Sequence, residues 1–410
     1  MAAEPMHSEE CSAISFAERQ SKKLSVMAGN TFRTTDSAIP PQRITHASSR
    51  KNPDSLTASR GLRGSITSSA YLDPRIRKLI GKLGAVEQLR ACYEAGPTGY
   101  VLYWQLTELG VECAVIAPTL VPVKAGDRVK TDRRDATKLA RCHRAGDLTP
   151  ARVPDAGSEA LRDLVWAREV AKQDQLRARH RLSKFLLRTG QRPAAGMKAW
   201  TLGYMAWVRQ LRFQQVAQES TRLDYLPEVE HMAERVKRLE QAITEAVKLA
   251  SAALQEVIRG LQALRGVAQI SAVTIAAELG NISRFNTPRQ LMGYSGVVPS
   301  EDSSGQRTRR GSITKSGNAH LRRIAIEAAW SYRLRPGVGP ALRKRQEGVA
   351  EEIKEIAWKA QHRLHKRYCR LAAAGKDQRK IITAVGRELL GFIWAIGIKA
   401  EAIGKLRMAA

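Results

Sequence analysis

Apolar residues change their spacing along this chain, and the changes predict alternating strands and helices from Leu72 onward. Short apolar runs of the kind found in buried strands alternate with runs of helical period, and Gly-Pro or lone Pro residues separate them. The predicted elements are a helix over 74–83, a strand over 89–94, a helix over 100–109 and a strand over 111–116. In the second helix, Val101, Leu102, Trp104 and Leu109 are expected to face inward. This order predicts an α/β unit with a parallel sheet.

A further helix is expected to begin after Thr131, whose side chain is a suitable N-cap, and to run through Cys142. Its first turn carries Asp132, and Glu94 stands at the end of a predicted strand. Parallel α/β sheets place their chemistry at the carboxyl ends of strands. Both acids are therefore candidates for a shared site.

The middle of the chain reads as helical. Residues 158–189 and 227–258 predict two long helices, and apolar residues in the second recur at alternating steps of three and four from Val229 to Ala250. Such a seam favours a coiled coil, either as an antiparallel hairpin within one chain or as a dimer contact. The aromatic residues between the helices, including Trp200 and Trp207, are interpreted as core rather than as a platform for stacking bases.

Three patterns follow in the last third. Residues 264–272 place Gly266 between two helical runs, which is typical of a helix-hairpin-helix that offers backbone N–H groups to a phosphate. Residues 293–318 are rich in Gly and Ser and lead into a helix. Residues 341–410 predict a basic helical tail.

Composition narrows the possible partners. The formal net charge is +29, with 43% apolar residues, which indicates a folded protein that binds a polyanion, nucleic acid before membrane. The five cysteines are scattered, so we expect reduced thiols in a cytoplasmic protein. No transmembrane helix and no signal peptide are expected. Residues 1–71 have no sustained period and predict a disordered or unrelated segment.

The most informative chemistry is a pair of acids within a basic run. Asp132 and Asp135 are spaced i, i+3, so a helix places both carboxylates on one face, where they can share a divalent cation. Arg133 and Arg134 then point elsewhere and can face phosphates. The alternative is an ordinary solvated helix face with mixed charges.

Serines beside cations form the second candidate site. Residues 300–305 contain Ser303 and Ser304, and the basic residues that follow are Arg307, Arg309, Arg310 and Lys315, with Arg322 and Arg323 in the next helix. A serine that attacks phosphorus needs cations to stabilise the developing negative charge. The alternative is a loop that grips phosphate without covalent chemistry.

These residues resemble the DEDD transposases of the "IS one-ten" insertion-sequence family. The similar motifs are 93–100, 126–136, 299–305, 314–318 and 321–323, and the likeness extends from Leu72 to the C-terminus. The resemblance implies a RuvC-like, RNase H-type domain over 72–155, a helical coiled-coil region over 156–259 and a mainly α transposase domain over 260–340, followed by the tail over 341–410.

The same resemblance implies the chemistry. Glu94, Asp132 and Asp135 correspond to three of four acids that bind Mg²⁺, and Ser304, with Ser303 as the fallback, corresponds to a nucleophile that forms a phosphoserine with cleaved DNA. It also implies a homo-oligomer, dimer or tetramer, that acts on the bacterial nucleoid with a noncoding guide RNA pairing to DNA.

One departure from the family pattern leaves the activity open. The first metal-binding aspartate should follow an apolar strand, and none of Asp36, Asp54 and Asp73 does. Three functions remain: an active recombinase, a catalytically impaired copy that only binds nucleic acid, and a nuclease that uses only the acids.

Overall fold

The computed structural model describes residues 25–28, 31–33, 73–97, 99–122 and 131–409. The chain divides into two compact units, residues 1–153 and 154–410. The first unit therefore ends close to the predicted end of the RuvC-like domain, and the three regions predicted after residue 155 all lie within the second unit.

The N-terminal unit combines a four-stranded sheet with helices. Its strands are β1 (Ser25–Ala28), β2 (Thr31–Arg33), β3 (Leu89–Glu94) and β4 (Glu112–Ile116), and its helices are α1 (Pro74–Leu83), α2 (Val101–Glu108) and α3 (Asp132–Ala145). From α1 onward the elements begin and end within a few residues of the predicted positions.

Sheet order is β2-β1-β3-β4, and only part of it was expected. β3 and β4 pair in parallel, with Glu94 opposite Ile116, as predicted. β1 lies on the other side of β3 and pairs with it antiparallel, with Ser25 opposite Cys92. The expectation that residues 1–71 contribute no regular structure is therefore wrong for β1 and β2, and the neighbour of β3 has the opposite direction to a parallel first strand.

The inward face of α2 also differs from the prediction. Leu106 is fully buried, whereas Val101 and Trp104 are 60% and 42% exposed. The core of this unit lies between α1, α2 and the sheet, where Ile80, Leu106 and Val115 belong to one apolar cluster. A displacement of one residue rotates the assumed inward face of a helix by about 100°, which is enough to place Val101 and Trp104 outside the buried face.

The C-terminal unit is almost entirely helical. Its helices are α4 (Ala156–Arg188), α5 (Leu202–Gln210), α6 (Val216–Leu249), α7 (Ala252–Leu261), α8 (Gln269–Leu279), α9 (Pro288–Tyr294), α10 (Ala319–Ala329), α11 (Pro340–Gln346), α12 (Glu351–Ala373) and α13 (Gln378–Ala409), with a hairpin of β5 (Pro299–Glu301) and β6 (Arg310–Ile313).

α4 and α6 form an antiparallel pair within the chain. Three ion pairs, Arg168–Glu240, Asp174–Arg235 and Arg181–Glu228, join them in opposite chain directions. The predicted helix over 227–258 is interrupted, because Ser251 caps a new helix by accepting a hydrogen bond from the Leu254 N–H. The aromatic residues around α5 pack together in an apolar cluster, which confirms their interpretation as core.

α13 lies in the core of the unit, whereas the sequence predicted only that the tail over 341–410 would be helical and basic. Ile381, Val385, Leu389, Ile393 and Ile396 are all at most 2% exposed, on one face that meets α7, α10 and α12. By length and mean hydropathy this helix would be able to cross a membrane, but half of that stretch is buried inside the unit. It therefore matches the core helix of a helical unit.

The pairing of α4 with α6 can be tested by truncating one core side chain. Ile243 is fully buried on α6, so Ile243→Ala should lower the free energy of unfolding by about 2–4 kcal/mol, from lost burial and the cavity left behind. Leu249→Ala is the matched control, since Leu249 is 88% exposed, and should change it by less than about 0.5 kcal/mol. Denaturant unfolding followed by tryptophan fluorescence measures both, and equal losses would contradict the assigned core.

Candidate active site

Glu94 stands at the carboxyl end of β3. The strand is buried through Tyr93, whereas Glu94 is half-buried at the sheet edge. The next residue, Ala95, donates its N–H to the carbonyl oxygen of Ile116 at 2.8 Å, which keeps the chain on the sheet before it turns at Gly96. The carboxylate therefore emerges where a parallel sheet presents side chains to a site.

Asp132 and Asp135 occupy the first turn of α3, as predicted. The Thr131 hydroxyl accepts a hydrogen bond from the Arg134 N–H at 3.3 Å and caps the helix. Further along α3, Leu139 packs against Cys92 and Ile116. Within this turn, both aspartates are half-buried, and Arg133 and Arg134 are exposed. The expected division of acids and arginines between two faces is confirmed.

The side chains of these three acids have no cation beside them among the described residues. In the part of the chain that the structure describes, no hydrogen bond or ion pair involves the side chains of Glu94, Asp132 or Asp135. Carboxylate oxygens are the donor type that hard divalent cations prefer. The donor chemistry therefore fits such an ion.

The described side chains do not provide enough neighbouring ligands for a complete metal site. No group of three or more His, Cys, Asp or Glu side chains is close enough to hold a metal among the described residues. Asp73 is occupied elsewhere, because its carboxylate caps α1 by accepting from the Arg75 N–H at 2.8 Å. Asp36, Asp54 and the motif residues 126–130 lie outside the described residues.

Ser303 and Ser304 lie at the tip of the hairpin formed by β5 and β6. The Ser303 hydroxyl donates to Glu301 Oε1 at 3.0 Å and accepts from the Arg309 N–H at 3.2 Å. Ser304 bonds to Arg307 through its backbone, with N–H to carbonyl distances of 3.2 and 3.1 Å. Its exposed hydroxyl has no hydrogen-bond partner among the described residues. The two serines are therefore chemically distinct.

Four of the predicted nucleic-acid-binding cations lie in or just after the hairpin of β5 and β6. Arg307, Arg309 and Lys315 are exposed, and no ion pair holds their side chains within the described chain. Arg310 is held by Glu301, at 3.4 Å. Of these four cations, Arg307, Arg309 and Lys315 are the ones available to phosphate.

Two other predicted cations contact the protein itself. Arg322 donates to the Ser295 carbonyl at 2.8 Å. Arg323 forms ion pairs with Glu169 at 2.8 Å and with Glu327 at 3.1 Å. Burial lowers the pKa of Arg323, but the two carboxylates outweigh it and the pKa is raised, so this guanidinium stays charged.

Gly266 occupies the predicted hairpin, between α7 and α8. Its φ is +81°, and a Cβ at this position would collide with the Ala328 carbonyl oxygen of α10. Leu264 and Val267 on either side are fully buried. Glycine is therefore required here for the close packing of the hairpin on α10, while the exposed side of the turn remains accessible.

Sequence reasoning missed a polar cluster around the start of α10. His320, interpreted as a solvated or core histidine, lies 2.8 Å from Glu169 and stacks on Trp166. Glu278 and Asn318 join the same cluster. The partners come from α4, α8 and α10, and no local spacing in the sequence signals contacts between such distant positions.

Known transposases match both units of this chain. A model of the transposase family IS116/IS110/IS902 matches residues 259–344, and a DEDD transposase model matches residues 63–190. The chain is 46% identical over 330 residues to "Putative transposase y4qE" of Sinorhizobium fredii, covering 80% of each protein. It is 33% identical over 299 residues to the transposase for insertion sequence element IS1533 of Leptospira borgpetersenii, covering 72% of this chain and 85% of that one.

The two units and these matches define a DNA transposase. The chain belongs to the IS116/IS110/IS902 family, as its motifs predicted. Membership implies a RuvC-like fold for the DEDD domain, binding and transposition of insertion-sequence DNA, and the general use of divalent metal ions by such domains.

Glu169 gives a pH-dependent test of the polar cluster. Burial raises its pKa, but hydrogen bonds and charge from His320 and Arg323 outweigh burial and hold the pKa below the ordinary 4.5. A depressed carboxyl pKa adds stability above the ordinary value, and that stability is lost as the pH falls through the lower folded value. Unfolding free energies measured from pH 6 down to pH 3 should therefore fall more steeply for the wild type than for Glu169→Gln; parallel curves would show that the cluster does not stabilise the fold.

Proposed function

We propose that this transposase cleaves and joins insertion-sequence DNA through a covalent phosphoserine on Ser304. The observation that carries the proposal is the contrast at the hairpin tip: the Ser303 hydroxyl is hydrogen-bonded, whereas the Ser304 hydroxyl is exposed and has no partner among the described residues. Ser303 fixes the tip through Glu301 and the Arg309 backbone. Ser304 is then the hydroxyl that can reach a phosphodiester.

The chemical step exchanges one ester for another. Ser304 Oγ bonds to phosphorus and loses its proton to a base, while one P–O bond of the DNA backbone breaks and the departing sugar oxygen takes a proton. Negative charge develops on the phosphoryl oxygens during this displacement, and Arg307 and Arg309 lie close to Ser304 in the same hairpin to stabilise it. The reverse reaction, with a different DNA end, joins strands without hydrolysis.

The acids supply the second part of the proposal. Glu94, Asp132 and Asp135 would hold Mg²⁺, which acts as a Lewis acid toward phosphate when bound. No cation pairs with these acids in the part of the chain that the structure describes, in a protein of charge +29, and this supports the role. Because no three such side chains are close enough to hold a metal among the described residues, Mg²⁺ should bind weakly unless a further acid completes the site.

The expected partners follow from the charge of the chain and from its family resemblance. We propose that a noncoding guide RNA selects the DNA by base pairing, while basic side chains such as Arg133, Arg134 and Lys315 bind backbone phosphates. A homo-oligomer, dimer or tetramer, in the bacterial cytoplasm and on its nucleoid completes the proposal.

A catalytically impaired copy is the alternative. It is favoured by one observation in the N-terminal unit: the strand beside β3 runs antiparallel, and no described acid completes the set of Glu94, Asp132 and Asp135. Such a protein would bind nucleic acid through the same basic residues and would form no covalent intermediate.

The nucleophile is tested by trapping the protein on DNA. Purified protein, RNA from the element and a labelled DNA end are incubated with Mg²⁺, and the covalent adduct is measured on a denaturing gel. Ser304→Ala should abolish the adduct, because no hydroxyl remains to bond phosphorus. Ser303→Ala should reduce it only partly, since Ser303 orders the tip.

Outcomes of this experiment separate the candidates. An adduct that persists in Ser304→Ala and disappears in Ser303→Ala would transfer the nucleophile to Ser303. DNA binding by the wild type without any adduct would favour the impaired copy. Hydrolysed ends without an adduct would favour a nuclease.

Metal binding is tested separately from catalysis. Asp132→Asn and Asp135→Asn should each weaken Mn²⁺ binding, read by titration calorimetry or electron paramagnetic resonance, by at least about tenfold, or 1.4 kcal/mol. Asp73→Asn is the matched control, because asparagine is an equally good helix cap and Asp73 serves α1. Equal affinities in all three variants would exclude the aspartates as metal ligands.

A further inference from the structure

Glu278 on α8 is a buried acid at a junction of three helices. It is only 8% exposed. One carboxylate oxygen accepts a hydrogen bond from Trp166 Nε1 on α4, and the other accepts from Asn318 Nδ2 before α10, both at 2.6 Å. No cation pairs with it in the described chain, so two neutral donors compensate for its removal from water.

The two donors account for an acid at this position. An ionised carboxylate accepts hydrogen bonds through both oxygens and donates none, so it can serve an indole N–H and an amide NH₂ together. A glutamine has one oxygen, and if that oxygen accepts from Trp166, its own NH₂ faces the NH₂ of Asn318. Two donors opposed in a buried place are unfavourable.

Asn318, which binds Glu278, also forms hydrogen bonds with the start of α10 and with the end of α9. Its Oδ1 accepts from the Leu321 N–H at 2.8 Å and caps α10. Its own N–H donates to the carbonyl of Tyr294, the last residue of α9, also at 2.8 Å. Side chain and backbone together therefore fix Asn318 to α8, α9 and α10.

A continuous two-stranded ribbon extends from this residue to the hairpin tip. The backbone bonds are Asn318 to Tyr294, Lys315 to Gly296, Thr314 to Val298, the β5–β6 pairing, Asp302 to Arg309 and Ser304 to Arg307. At the base of the ribbon its two backbone segments approach so closely that a Cβ on Gly296 or Gly317 would overlap a backbone carbonyl oxygen of the opposite segment. The base is thus tightly packed, and Ser304 is at the far end.

Such a ribbon converts a small change at its base into a large one at its tip. Its strands span roughly 30 Å when extended, so a rotation of about 5° at Asn318 would move the tip by on the order of 3 Å. Displacements of about 1 Å can slow a reaction by about a hundredfold. The orientation of Asn318 therefore limits how well a serine at the tip is placed.

Helix α4 also contacts the N-terminal end of α10 through a second set of side chains. Trp166 stacks on His320 with ring centroids 5.3 Å apart, and Glu169 binds both His320 and Arg323 at 2.8 Å. A displacement of α4 would therefore move the start of α10, where the base of the ribbon lies.

We propose that Glu278 is a positioning residue that couples helix α4 to the base of the serine ribbon through Trp166 and Asn318. The inference rests on the proposed role of Ser304 for its effect on catalysis. Glu278 is buried among the helices and acts by holding Asn318.

The test reverses the polarity of one hydrogen bond. Glu278→Gln opposes two NH₂ groups, and Asn318→Asp opposes two carboxylates, so each single variant should lose the contact. In the double variant the glutamine NH₂ donates to the aspartate, which still caps α10, and the glutamine oxygen still accepts from Trp166. The contact should therefore return with donor and acceptor exchanged.

Two readouts are measured on the full chain. The first is the rate of adduct formation with saturating DNA, which should fall by about tenfold to a hundredfold in each single variant and recover to within about threefold in the double variant. The second is hydrogen exchange at the amides of Asp302, Ser304 and Arg307, which should become faster in the single variants and recover likewise. Glu245→Gln, an exposed acid on α6, controls for the lost charge and should leave both unchanged.

The outcomes separate this inference from the proposed function. If the wild type forms no adduct, the role of Ser304 fails, and hydrogen exchange alone decides whether Glu278 positions the ribbon. If the single variants exchange and react like the wild type, or if the double variant recovers neither property, the positioning role is overturned. Recovery of thermal stability without recovery of exchange at the tip would assign Glu278 to the helical core only.

Discussion

Burial of α13 is the constraint on which the C-terminal unit depends. Its apolar face must be covered along most of its length, and α7, α10 and α12 cover it. Close approach is possible because small residues lie at the contacts: Gly386 packs against the backbone of α10 at Ala325, and Gly404 packs against Ala253 of α7. The Trp394 indole N–H donates to the Phe285 carbonyl at 2.7 Å, so the polar atom of this large side chain has a hydrogen-bond partner inside the unit.

Consequences of that packing extend to the serine hairpin. α10 is fixed against α13, its N-cap Asn318 is fixed by Glu278, and the ribbon begins at Asn318. A two-stranded ribbon has little stability of its own in water. The position of Ser304 is therefore set by a core that contains no catalytic group, and side chains far from the tip become relevant to its placement.

Local patterns predicted much of this molecule, and distant contacts explain most of what they missed. Thr131, Asp132 and Asp135 follow rules that act within one helical turn, so the cap and the shared face of the acids were predictable. The antiparallel β1 and the Glu278 cluster depend on pairings between separate elements, which leave no period in the sequence. The sequence predicted only a basic helical tail over 341–410, because its many basic residues obscured an apolar stripe that becomes evident only when the partners of α13 are known.

The presence or absence of a cation partner distinguishes structural acids from candidate functional acids in this basic chain. Asp174 binds two arginines, and Glu169 binds a histidine and an arginine, as expected where cations are abundant. Glu94, Asp132 and Asp135 are half-buried beside arginine-rich sequence and have no described cation partner, although pairing would lower their energy. Among the described residues these three acids therefore differ from the paired structural acids, which is consistent with the proposal that they hold a cation. Glu278 differs from both groups, because two neutral donors satisfy its carboxylate.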